Sequence, residues 1–485
     1  MLSKNLNDNI RHIREAMGDS SDLRLRKLTL PWAKFGGTDA ALMYLDAMSD
    51  SNALQQSVIP SLLGYEPATP PPSSASLLEW IGAQVLDASG YKRQTDWDSL
   101  LQAMLCGDAI LLVDGGSDAL AIAMAGYEDR GISDAKNQAV TRGPQEAFTE
   151  TMHKNITLIR RRIKDSRIRV VTQVKGSITR TNVSIVYLEG IAGAQLVQEV
   201  LSSLDKFNLE GLFDAHYFEE FFQKKFTLYP TAYNTERPDT VSAMILEGRV
   251  AVIVDGSPYV LVVPALLADF IQSAEDYYQP SYFAILIRFL RMLAFGIASF
   301  APATYIAVTT FHQDLLPMQL LLSLAAQREG IPFPAFVEAL LMEITFEILR
   351  EAGLRMPRAI GQAVSIVGTI VIGQAAVDAG IVSAAMVIIV SITAISSFVL
   401  PSYSFTLVVR VQRFFFMMLA ATLGFYGIYF GIILLVLWLC SLDSFGFPYL
   451  RPFTPYIKKE QRDALFRDGF LYWKKKPSGG GLNGW

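Results

Sequence analysis

The chain has 485 residues, which is long enough for two or three domains. Its formal net charge of −4 at pH 7 argues against nucleic acid as a main partner. The two cysteines, Cys106 and Cys440, lie far apart and indicate neither a disulfide framework nor a metal site. This cysteine usage fits a reducing compartment. The polar stretch from Met1 to Ile10 predicts no signal peptide, so we expect the head to stay in the cytoplasm.

Residues 1–145 are predicted to form the first of two lobes in a soluble α/β head. Residues 1–60 are interpreted as helical, with charged side chains spread over 5–17. The proline-rich stretch at 67–74 is expected to be a loop, because proline lacks the backbone donor and clashes with the preceding helical turn. An amphipathic helix is predicted over 76–88.

Two segments of the head resemble each other. Gly-Asp-Ala-Ile-Leu-Leu-Val-Asp-Gly at 107–115 and Gly-Arg-Val-Ala-Val-Ile-Val-Asp-Gly at 248–256 have the same spacing from glycine to aspartate, and each precedes a second apolar run. Asp-Gly between apolar β-forming residues indicates a hairpin, because the turn requires positive φ. We predict one hairpin in each lobe, either from an old duplication or from the chance recurrence of a common hairpin sequence.

The second α/β lobe is predicted over 146–283. Strands are expected at 169–174 and 183–187, and a helix at 192–204. A basic cluster near the start of this lobe favours a solvated helix face over a phosphate-binding patch, because Asp165 and apolar isoleucines are interleaved with it. The basic residues are Arg160, Arg161, Arg162, Lys164, Arg167 and Arg169.

Residues 284–442 are predicted to form a multi-pass α-helical membrane domain. Only 15 of these 159 positions are Asp, Glu, Lys or Arg. The runs 381–409 and 414–442 each contain 29 residues without a charge. Crossing the hydrocarbon core of a bilayer takes roughly 20 apolar residues in a helix. A buried helix pair in a large soluble core is disfavoured, because such helices rarely run so long without a charge.

Six helical segments are expected in this domain, of which the second is too short to span and suits a re-entrant segment. Arg410 and Arg413 precede the last segment and further basic residues follow it, so the orientation of that segment stays open. We prefer an even number of spans, with both chain ends cytoplasmic, and expect the basic tail 443–485 to be mobile. The segments lie at 292–311, 315–327, 331–354, 359–377, 381–399 and 414–439.

Acidic residues on the third segment are candidates for an ion path. Glu343, Glu347 and Glu351 recur every four residues and share one helix face, and Glu338 lies off that face. An ionisable group at the bilayer centre costs about 2.5–3.5 kcal/mol on insertion scales, so these acids should face protein or water. Two interpretations stay open, a row of acids along a cation path and an interfacial helix whose acids face water. Asp378, after the fourth segment, is a further acidic candidate.

The fourth segment is the strongest candidate for lining a pore, because small residues recur along it at intervals of four. A tight helix–helix seam is the alternative, since small residues let helices approach closely. In an oligomer the two interpretations merge, because helices around an axis touch each other and line a hole. The pore-lining candidates are Gly361, Gln362, Ser365, Thr369, Gly373 and Gln374.

The sequence shows no catalytic or cofactor motif. It contains no glycine-rich phosphate loop, no His-Glu-x-x-His and no Gly-x-Ser-x-Gly. The four histidines are widely spaced, and the one in the apolar region, His312, is expected to be structural. We therefore expect no enzyme activity, no metal and no cofactor.

Eight short segments, in order along the chain, carry a family resemblance. They are Arg-Gly-Pro-Gln-Glu-Ala-Phe at 142–148, Asn-Ile-Thr-Leu-Ile-Arg at 155–160, Asn-Thr-Glu-Arg-Pro-Asp at 234–239, Gly-Arg-Val-Ala-Val-Ile-Val-Asp-Gly-Ser-Pro at 248–258, Phe-His-Gln at 311–313, Glu-Ala-Leu-Leu-Met-Glu at 338–343, Leu-Arg-Glu-Ala-Gly-Leu-Arg at 349–355 and Ile-Gly-Gln-Ala-Ala-Val at 372–377. In these segments the chain resembles GerA-family spore germination proteins, the A subunits of nutrient germinant receptors. The resemblance covers roughly residues 100–455.

The resemblance implies a receptor of the spore inner membrane, with a two-lobed α/β head on the core side and a multi-pass membrane domain. The implied partners are a permease-like B subunit and a lipoprotein C subunit. Copies of the chain are expected to form a ring that releases cations when nutrient binds the B subunit. No ligand-contact motif carries over to this sequence.

The sequence suggests three alternatives to a receptor subunit. A SpoVAF-like paralogue would form a germination channel without a nutrient-binding B subunit, and the segments above do not exclude it. A secondary transporter is disfavoured, because the sequence shows no repeated pair of multi-span halves. A non-conducting membrane scaffold stays open.

Substitution of Thr369 or Gly373 tests the pore interpretation. If the fourth segment lines the ion path, bulky side chains at these positions lower ion flux and charged ones alter it, because they change the width and field of the path. Ion flux through the purified protein in liposomes is the measurement. Unchanged flux in every variant would show that this helix does not line the path.

Overall fold

The structure is a computed structural model that describes residues 2–30, 38–46, 48–65, 74–86, 90–126, 135, 138, 140–223, 227–355, 373–457, 461, 463 and 467. These residues form two compact units. Unit 1 comprises the described residues up to 223 together with 232–264. Unit 2 comprises 227–231 and the described residues from 265 onward.

The first part of unit 1, here lobe 1, is an antiparallel sheet with helices on both faces. Its strands are β1 (Leu23–Leu30), β2 (Thr38–Leu45), β3 (Tyr91–Gln94), β4 (Ala109–Val113) and β5 (Ala119–Ile122), and its helices are α1 (Leu6–Met17), α2 (Ser51–Ala53), α3 (Ile59–Gly64), α4 (Ser74–Trp80) and α5 (Trp97–Leu105), with π-helical turns at Leu54–Val58 and Ile81–Val85. The strand order is β1-β2-β4-β5-β3. Helices α1 and α5 pack on one face through Ile13 and Met104, and α3 and α4 pack on the other through Leu62 and Leu78.

Lobe 2 also combines a five-stranded antiparallel sheet with helices. Its strands are β6 (Ile168–Lys175), β7 (Thr181–Leu188), β8 (Tyr233–Thr235), β9 (Val250–Val254) and β10 (Val260–Val263), and its helices are α6 (Met152–Arg162), α7 (Ala194–Lys206), α8 (His216–Phe222) and α9 (Pro238–Leu246). The strand order β6-β7-β9-β10-β8 repeats that of lobe 1. The predicted hairpins are confirmed as β4–β5 and β9–β10, and so is the α/β architecture of this region.

The aspartate of each hairpin turn makes the same contact in the two lobes. The Leu6 amide donates to Asp114 Oδ1 at 3.1 Å, and the Met152 amide donates to Asp255 Oδ1 at 3.1 Å. Each contact places a carboxylate at the N-terminus of α1 or α6, where the helix dipole favours negative charge. The turn thereby orients the first helix of its own lobe.

A buried asparagine also repeats. Asn9 Oδ1 accepts from the Ser3 amide at 2.8 Å, and Asn9 Nδ2 donates to the Ser3 carbonyl oxygen at 2.6 Å. Asn155 makes the same two bonds with Thr149, again at 2.8 and 2.6 Å. Chance recurrence of a hairpin sequence does not account for a matching strand order, turn contact and asparagine, so the structure favours the duplication.

A buried ion pair joins the two lobes. Arg160 Nε lies 2.5 Å from Asp22 Oδ2, and Arg160 Nη2 lies 2.8 Å from Asp22 Oδ1. Ser20 Oγ donates to the same carboxylate at 2.7 Å and accepts from the Val170 amide at 3.0 Å. Because both charges are buried, the pair depends on this bidentate geometry.

Two expectations about unit 1 are wrong. Residues 1–60 are not helical throughout, since β1 and β2 follow α1; apolar residues mostly at alternate positions in Leu-Arg-Leu-Arg-Lys-Leu-Thr-Leu at 23–30 are the overlooked strand signal. The basic cluster is not a uniformly solvated face, because Arg160 and Arg169 are buried. The carboxylate that Arg160 binds, Asp22, lies 138 residues away in sequence.

Unit 2 is predominantly helical in its described part. Its longer helices share one apolar core that includes Ile306, Ala339, Met386 and Met417. The elements are α10 (Leu267–Ile271), a 3₁₀ turn (Ala274–Tyr277), α11 (Ser281–Thr310), a 3₁₀ turn (Gln313–Leu315), α12 (Met318–Arg328), α13 (Ala335–Arg355), α14 (Gly373–Asp378), α15 (Ala384–Phe398), α16 (Tyr403–Leu423), α17 (Phe425–Cys440), β11 (Asp443–Ser444) and β12 (Phe447–Pro448).

Two of the described helices, α11 and α16, are long and apolar enough to cross a membrane by length and composition. Helices α15 and α17 are apolar but shorter. The single last span predicted at 414–439 is wrong, because the chain breaks between α16 and α17 at Gly424, where φ is +59°. A Cβ at Gly424 would lie 2.7 Å from His312 Cε1, so only glycine fits this break.

Residues 443–457 are packed rather than mobile, in contrast to the expectation for the tail. Tyr449 is fully buried, and its ring makes an edge contact with Tyr229. The Tyr229 hydroxyl donates to Gln412 of α16, and burial raises the pKa of this phenol. The Ser444 hydroxyl donates to the Thr231 carbonyl oxygen at 2.6 Å. The tail is therefore part of unit 2 up to at least residue 457.

Replacing Arg160 by Met leaves the Asp22 carboxylate buried without its partner. We expect the opening free energy of β1 and β6 to fall by about 3–5 kcal/mol, measured by hydrogen exchange of the full chain with mass spectrometry. Arg162→Met, on the same helix, breaks the more exposed pair with Glu146 and should cost no more than about 1 kcal/mol. Equal effects of the two substitutions would contradict a joining role for Arg160.

Candidate functional site in the helical unit

Helix α13 carries the three predicted glutamates at different depths. Glu343 is completely buried, Glu347 is one-quarter exposed and Glu351 is half exposed. The spacing of four residues places them along one side of the helix, as predicted. The N-terminal half of α13, which includes Glu343, lies in the core, so the face is not uniformly accessible to solvent or ions.

The buried Glu343 is paired with Arg413 of α16. Arg413 Nη1 donates to Glu343 Oε2, and both side chains are at most 1% exposed. Arg413 Nε donates to the carbonyl oxygen of Ala298 in α11 at 2.8 Å. One guanidinium therefore holds three helices together.

The Ala298 carbonyl is available because of Pro302. In a regular helix this oxygen would accept from the amide of residue 302, but proline has no amide hydrogen. An unpaired buried carbonyl costs free energy comparable to a lost hydrogen bond. Arg413 satisfies that carbonyl, so the proline of one helix and the arginine of another form a matched pair.

Glu347 contacts two arginines. Its Oε2 accepts from Arg350 Nε at 2.9 Å on the same helix. Its Oε1 lies 3.5 Å from Nε of Arg410 on α16. Arg410 is almost fully buried, so α13 and α16 face each other through a second set of charges one helical turn from the Glu343–Arg413 pair.

The remaining acidic candidates have neighbours on their own helix. Glu351 Oε1 accepts from Arg355 Nε at 2.8 Å, and both side chains are largely exposed. Asp378 Oδ1 accepts from Gln374 Nε2 at 2.9 Å, again in an exposed position. Glu351 and Asp378 thus remain accessible to solvent or to a partner chain.

Glu338, which the helix pattern separates from the other acids, has a structural role. Its Oε2 accepts from both the amide and the hydroxyl of Ser383, at 3.0 Å each. Ser383 is the N-cap of α15, and its hydroxyl also accepts from the Met386 amide at 3.3 Å. Glu338 Oε1 lies 3.4 Å from Arg328 Nε, so this carboxylate connects α12, α13 and α15.

Most of the pore-lining candidates lie outside the described residues, namely Gly361, Gln362, Ser365 and Thr369. Gly373 is buried, and a Cβ there would lie 3.6 Å from Val387 Cγ1, which is ordinary packing distance. Gln374 is exposed. The structure brings Gly373 against α15 and leaves Gln374 and Asp378 at the surface, and the pore-lining role of these residues stays a prediction.

Sequence reasoning missed the importance of Arg410 and Arg413. It assigned them to the flank of a span, whereas both lie inside α16 and are buried. Two signals were available, the acids at matching spacing on α13 and the proline inside the apolar run of α11. No group of three or more His, Cys, Asp or Glu suited to a metal ion occurs among the residues that the structure describes.

Paired charges are buried inside the helical unit, and two of its helices, α11 and α16, are long and apolar enough to cross a membrane. Both features fit a membrane-associated protein. Residues 11–479 match the model of the Bacillus/Clostridium GerA spore germination protein. The chain is 44% identical over 481 residues to spore germination protein KA of Bacillus subtilis (strain 168), which covers 98% of this chain and 87% of the relative. The chain belongs to the GerA family of spore germination proteins, as the resemblance predicts.

Two further similarities are found. The chain is 37% identical over 478 residues to the uncharacterized membrane protein YfkQ of Bacillus subtilis (strain 168), covering 98% of this chain and 91% of that one. A crystal structure of the N-terminal domain of the A subunit of the Bacillus megaterium spore germinant receptor GerK3 matches 55% of this chain and 97% of that chain, at 29% identity and a TM-score of 0.42.

Replacing Arg413 by Met removes a buried cation from Glu343 and a donor from Ala298. We expect a loss of about 3–5 kcal/mol of stability, measured as a fall in the melting temperature of the full chain in detergent. Arg355→Met is the matched control, because its pair with Glu351 is exposed and should contribute no more than about 1 kcal/mol.

Pro302→Ala gives the Ala298 carbonyl a hydrogen-bond donor within its own helix. Arg413→Met should therefore cost less stability in the Pro302→Ala background than in the wild-type chain. The expected coupling is about 1 kcal/mol, the net contribution of one hydrogen bond. Additive effects of the two substitutions would show that the Ala298 contact carries no energy.

Proposed function

We propose that the chain is the A subunit of a nutrient germinant receptor and that its helical unit lies in the spore inner membrane. Membership of the GerA family, matched from residue 11 to residue 479, is the observation that carries this proposal. We further propose that unit 1 faces the spore core. The general role, in spore germination, is that of the GerA family and of its member protein KA.

The membrane location is supported by the surface of the apolar helices. Helices α11 and α16 have the length and composition of spans, and α17 presents large apolar side chains outward. Tyr426, Tyr429 and Leu437 of α17 are each more than 60% exposed. Exposed apolar faces of this size suit contact with lipid or with neighbouring helices. The chain crosses the membrane several times if the shorter helices α15 and α17 also span the bilayer when the chain is assembled with its partners.

The proposed partners are a permease-like B subunit, a lipoprotein C subunit and further copies of the chain. In the proposed oligomer, the segment that ends at Asp378 faces the symmetry axis and cations pass along it. The exposed positions of Gln374 and Asp378 support this arrangement, since polar groups at the end of such a helix are free to meet ions. Glu351 is the acid of α13 best placed to extend the path, because it is half exposed.

Asp378→Arg tests the cation path in spores. A fixed positive charge near the path raises the electrostatic barrier for cations, so we expect potassium release after nutrient addition to slow by about tenfold, which is about 1.4 kcal/mol. Glu15→Arg makes the same charge change on α1 of unit 1, at an exposed position, and should leave release unchanged. Equal amounts of chain in both spore types, checked by immunoblot, make the comparison valid.

Purification distinguishes the alternatives. Recovery with a permease-like protein supports the receptor subunit, whereas recovery with a different small membrane protein supports a SpoVAF-like germination channel. A chain that conducts no ions in liposomes, alone and with its partners, would be a membrane scaffold. Normal potassium release from Asp378→Arg spores would contradict the proposed cation path but not the proposed role as a receptor subunit.

A further inference from the structure

Two buried arginines near the start of α11 share one aspartate of the turn that precedes the helix. Arg288 is 2% exposed and Arg291 is 6% exposed. Oδ2 of Asp276 accepts from Arg288 Nε at 3.0 Å and from Arg291 Nη1 at 2.8 Å. A buried charge is costly unless it is paired and hydrogen-bonded, and one carboxylate cannot neutralise two cations. The start of α11 therefore needs a second acid.

Asp463, from the C-terminal part of the chain, is that second acid. Its Oδ1 lies 3.4 Å from both Nη1 and Nη2 of Arg288, and Nη1 also donates to the Asp463 carbonyl oxygen. Gln272 Nε2 donates to the same carbonyl oxygen at 2.8 Å, and the Tyr277 hydroxyl donates to Asp463 Oδ2 at 3.0 Å. Asp463 thus contacts both α11 and the segment 272–279 before it, although it lies 175 residues from Arg288 in sequence.

Arg467 makes a second attachment to the segment that precedes α11. Its Nη1 donates to the carbonyl oxygens of Asp276 and Gln279, and its Nη2 donates to that of Tyr277 at 3.3 Å. Its guanidinium carbon lies 5.4 Å from the centroid of the Tyr277 ring, and that of Arg288 lies 5.5 Å from the same centroid. Both arginines are therefore within the range of a cation–π contact with one tyrosine.

The contacts of Asp463 and Arg467 are of a kind that water can replace. Those described above are hydrogen bonds, ion pairs and cation–π contacts, and the Asp463 side chain is 32% exposed. Exchange of such contacts for water costs little net free energy per bond, because the separated groups are solvated. By contrast Tyr449, earlier in the tail, is fully buried. Asp463 and Arg467 can thus separate from the helical unit without unfolding its core.

We propose that Asp463 and Arg467 form a latch on the start of α11. While the latch is closed, it holds the segment 272–279 and Arg288 in the arrangement described. Its release lets this end of α11 move. The closed state is the resting one, because it pairs both buried arginines, whereas release leaves them with Asp276 alone. Control of ion release by the latch rests on the proposed function, but the latch itself does not.

Hydrogen exchange of the full chain in detergent, followed by mass spectrometry, tests whether the latch holds the segment 272–279. Asp463→Asn and Arg467→Gln should each speed exchange there by about fivefold, the effect of losing the net contribution of one hydrogen bond. Exchange in α15 should not change. Asp443→Asn, the same substitution at an exposed position of the tail, should exchange as the wild type does.

Tyr277→Phe is a milder variant that keeps the core intact. It removes only the hydroxyl hydrogen bond to Asp463 and keeps the ring that both guanidinium groups contact. We expect a smaller increase in exchange over the same residues 272–279.

Potassium release from spores in buffer without added nutrient tests the control of ion release. Because a weakened latch populates the released state more often, Asp463→Asn spores should leak potassium about fivefold faster than wild-type spores. Asp443→Asn spores should behave as the wild type does. An immunoblot checks that the spores carry equal amounts of the chain.

Wild-type exchange over 272–279 in both Asp463→Asn and Arg467→Gln would overturn the latch. Faster exchange throughout unit 2, including α15, would also overturn it, because these residues would then support the whole core. Faster exchange limited to 272–279 together with wild-type potassium leakage would overturn the control of ion release. The exchange is measured on the purified chain, so the latch can be confirmed even if the proposed role in germination proves wrong.

Discussion

The arrangement of the helical unit depends on one buried guanidinium group. Arg413 neutralises Glu343 and also supplies the hydrogen bond that Pro302 denies to the Ala298 carbonyl. Burying two charges is unfavourable unless both are paired and their remaining polar atoms are satisfied. Because the partners sit on α11, α13 and α16, the requirement fixes the relative rotation of these helices. Apolar packing alone tolerates many rotations, so the charges specify the one that is observed.

The α/β unit solves a similar problem with the same chemistry. Its two lobes repeat one strand order, one turn contact and one buried asparagine, so each has its own core. Arg160 of lobe 2 reaches the carboxylate of Asp22 in lobe 1, and the bidentate geometry allows little variation in how the lobes meet. In both units a buried arginine joins parts of the chain that would otherwise be held only by less specific contacts.

Local features were predictable and distant partners were not. The Asp-Gly turns at 114–115 and 255–256 determine their hairpins within a few residues, and both hairpins are present. Arg413 was assigned to the flank of a span, because its partners Glu343 and Ala298 lie 70 and 115 residues away. The break at Gly424 was missed for a similar reason, since a glycine in an apolar run is unremarkable until His312 is seen against it.

The sequence by itself determined the apolar character of residues 284–442, the two hairpins, the common face of Glu343, Glu347 and Glu351, and the family. These follow from hydropathy, turn chemistry and short motifs, each of which is a property of neighbouring residues. Only the tertiary structure decided which charges are buried and paired and which remain accessible. That outcome depends on distances across helices, because a charge in an apolar environment is stabilised by partners within a few ångströms, wherever they lie in the chain.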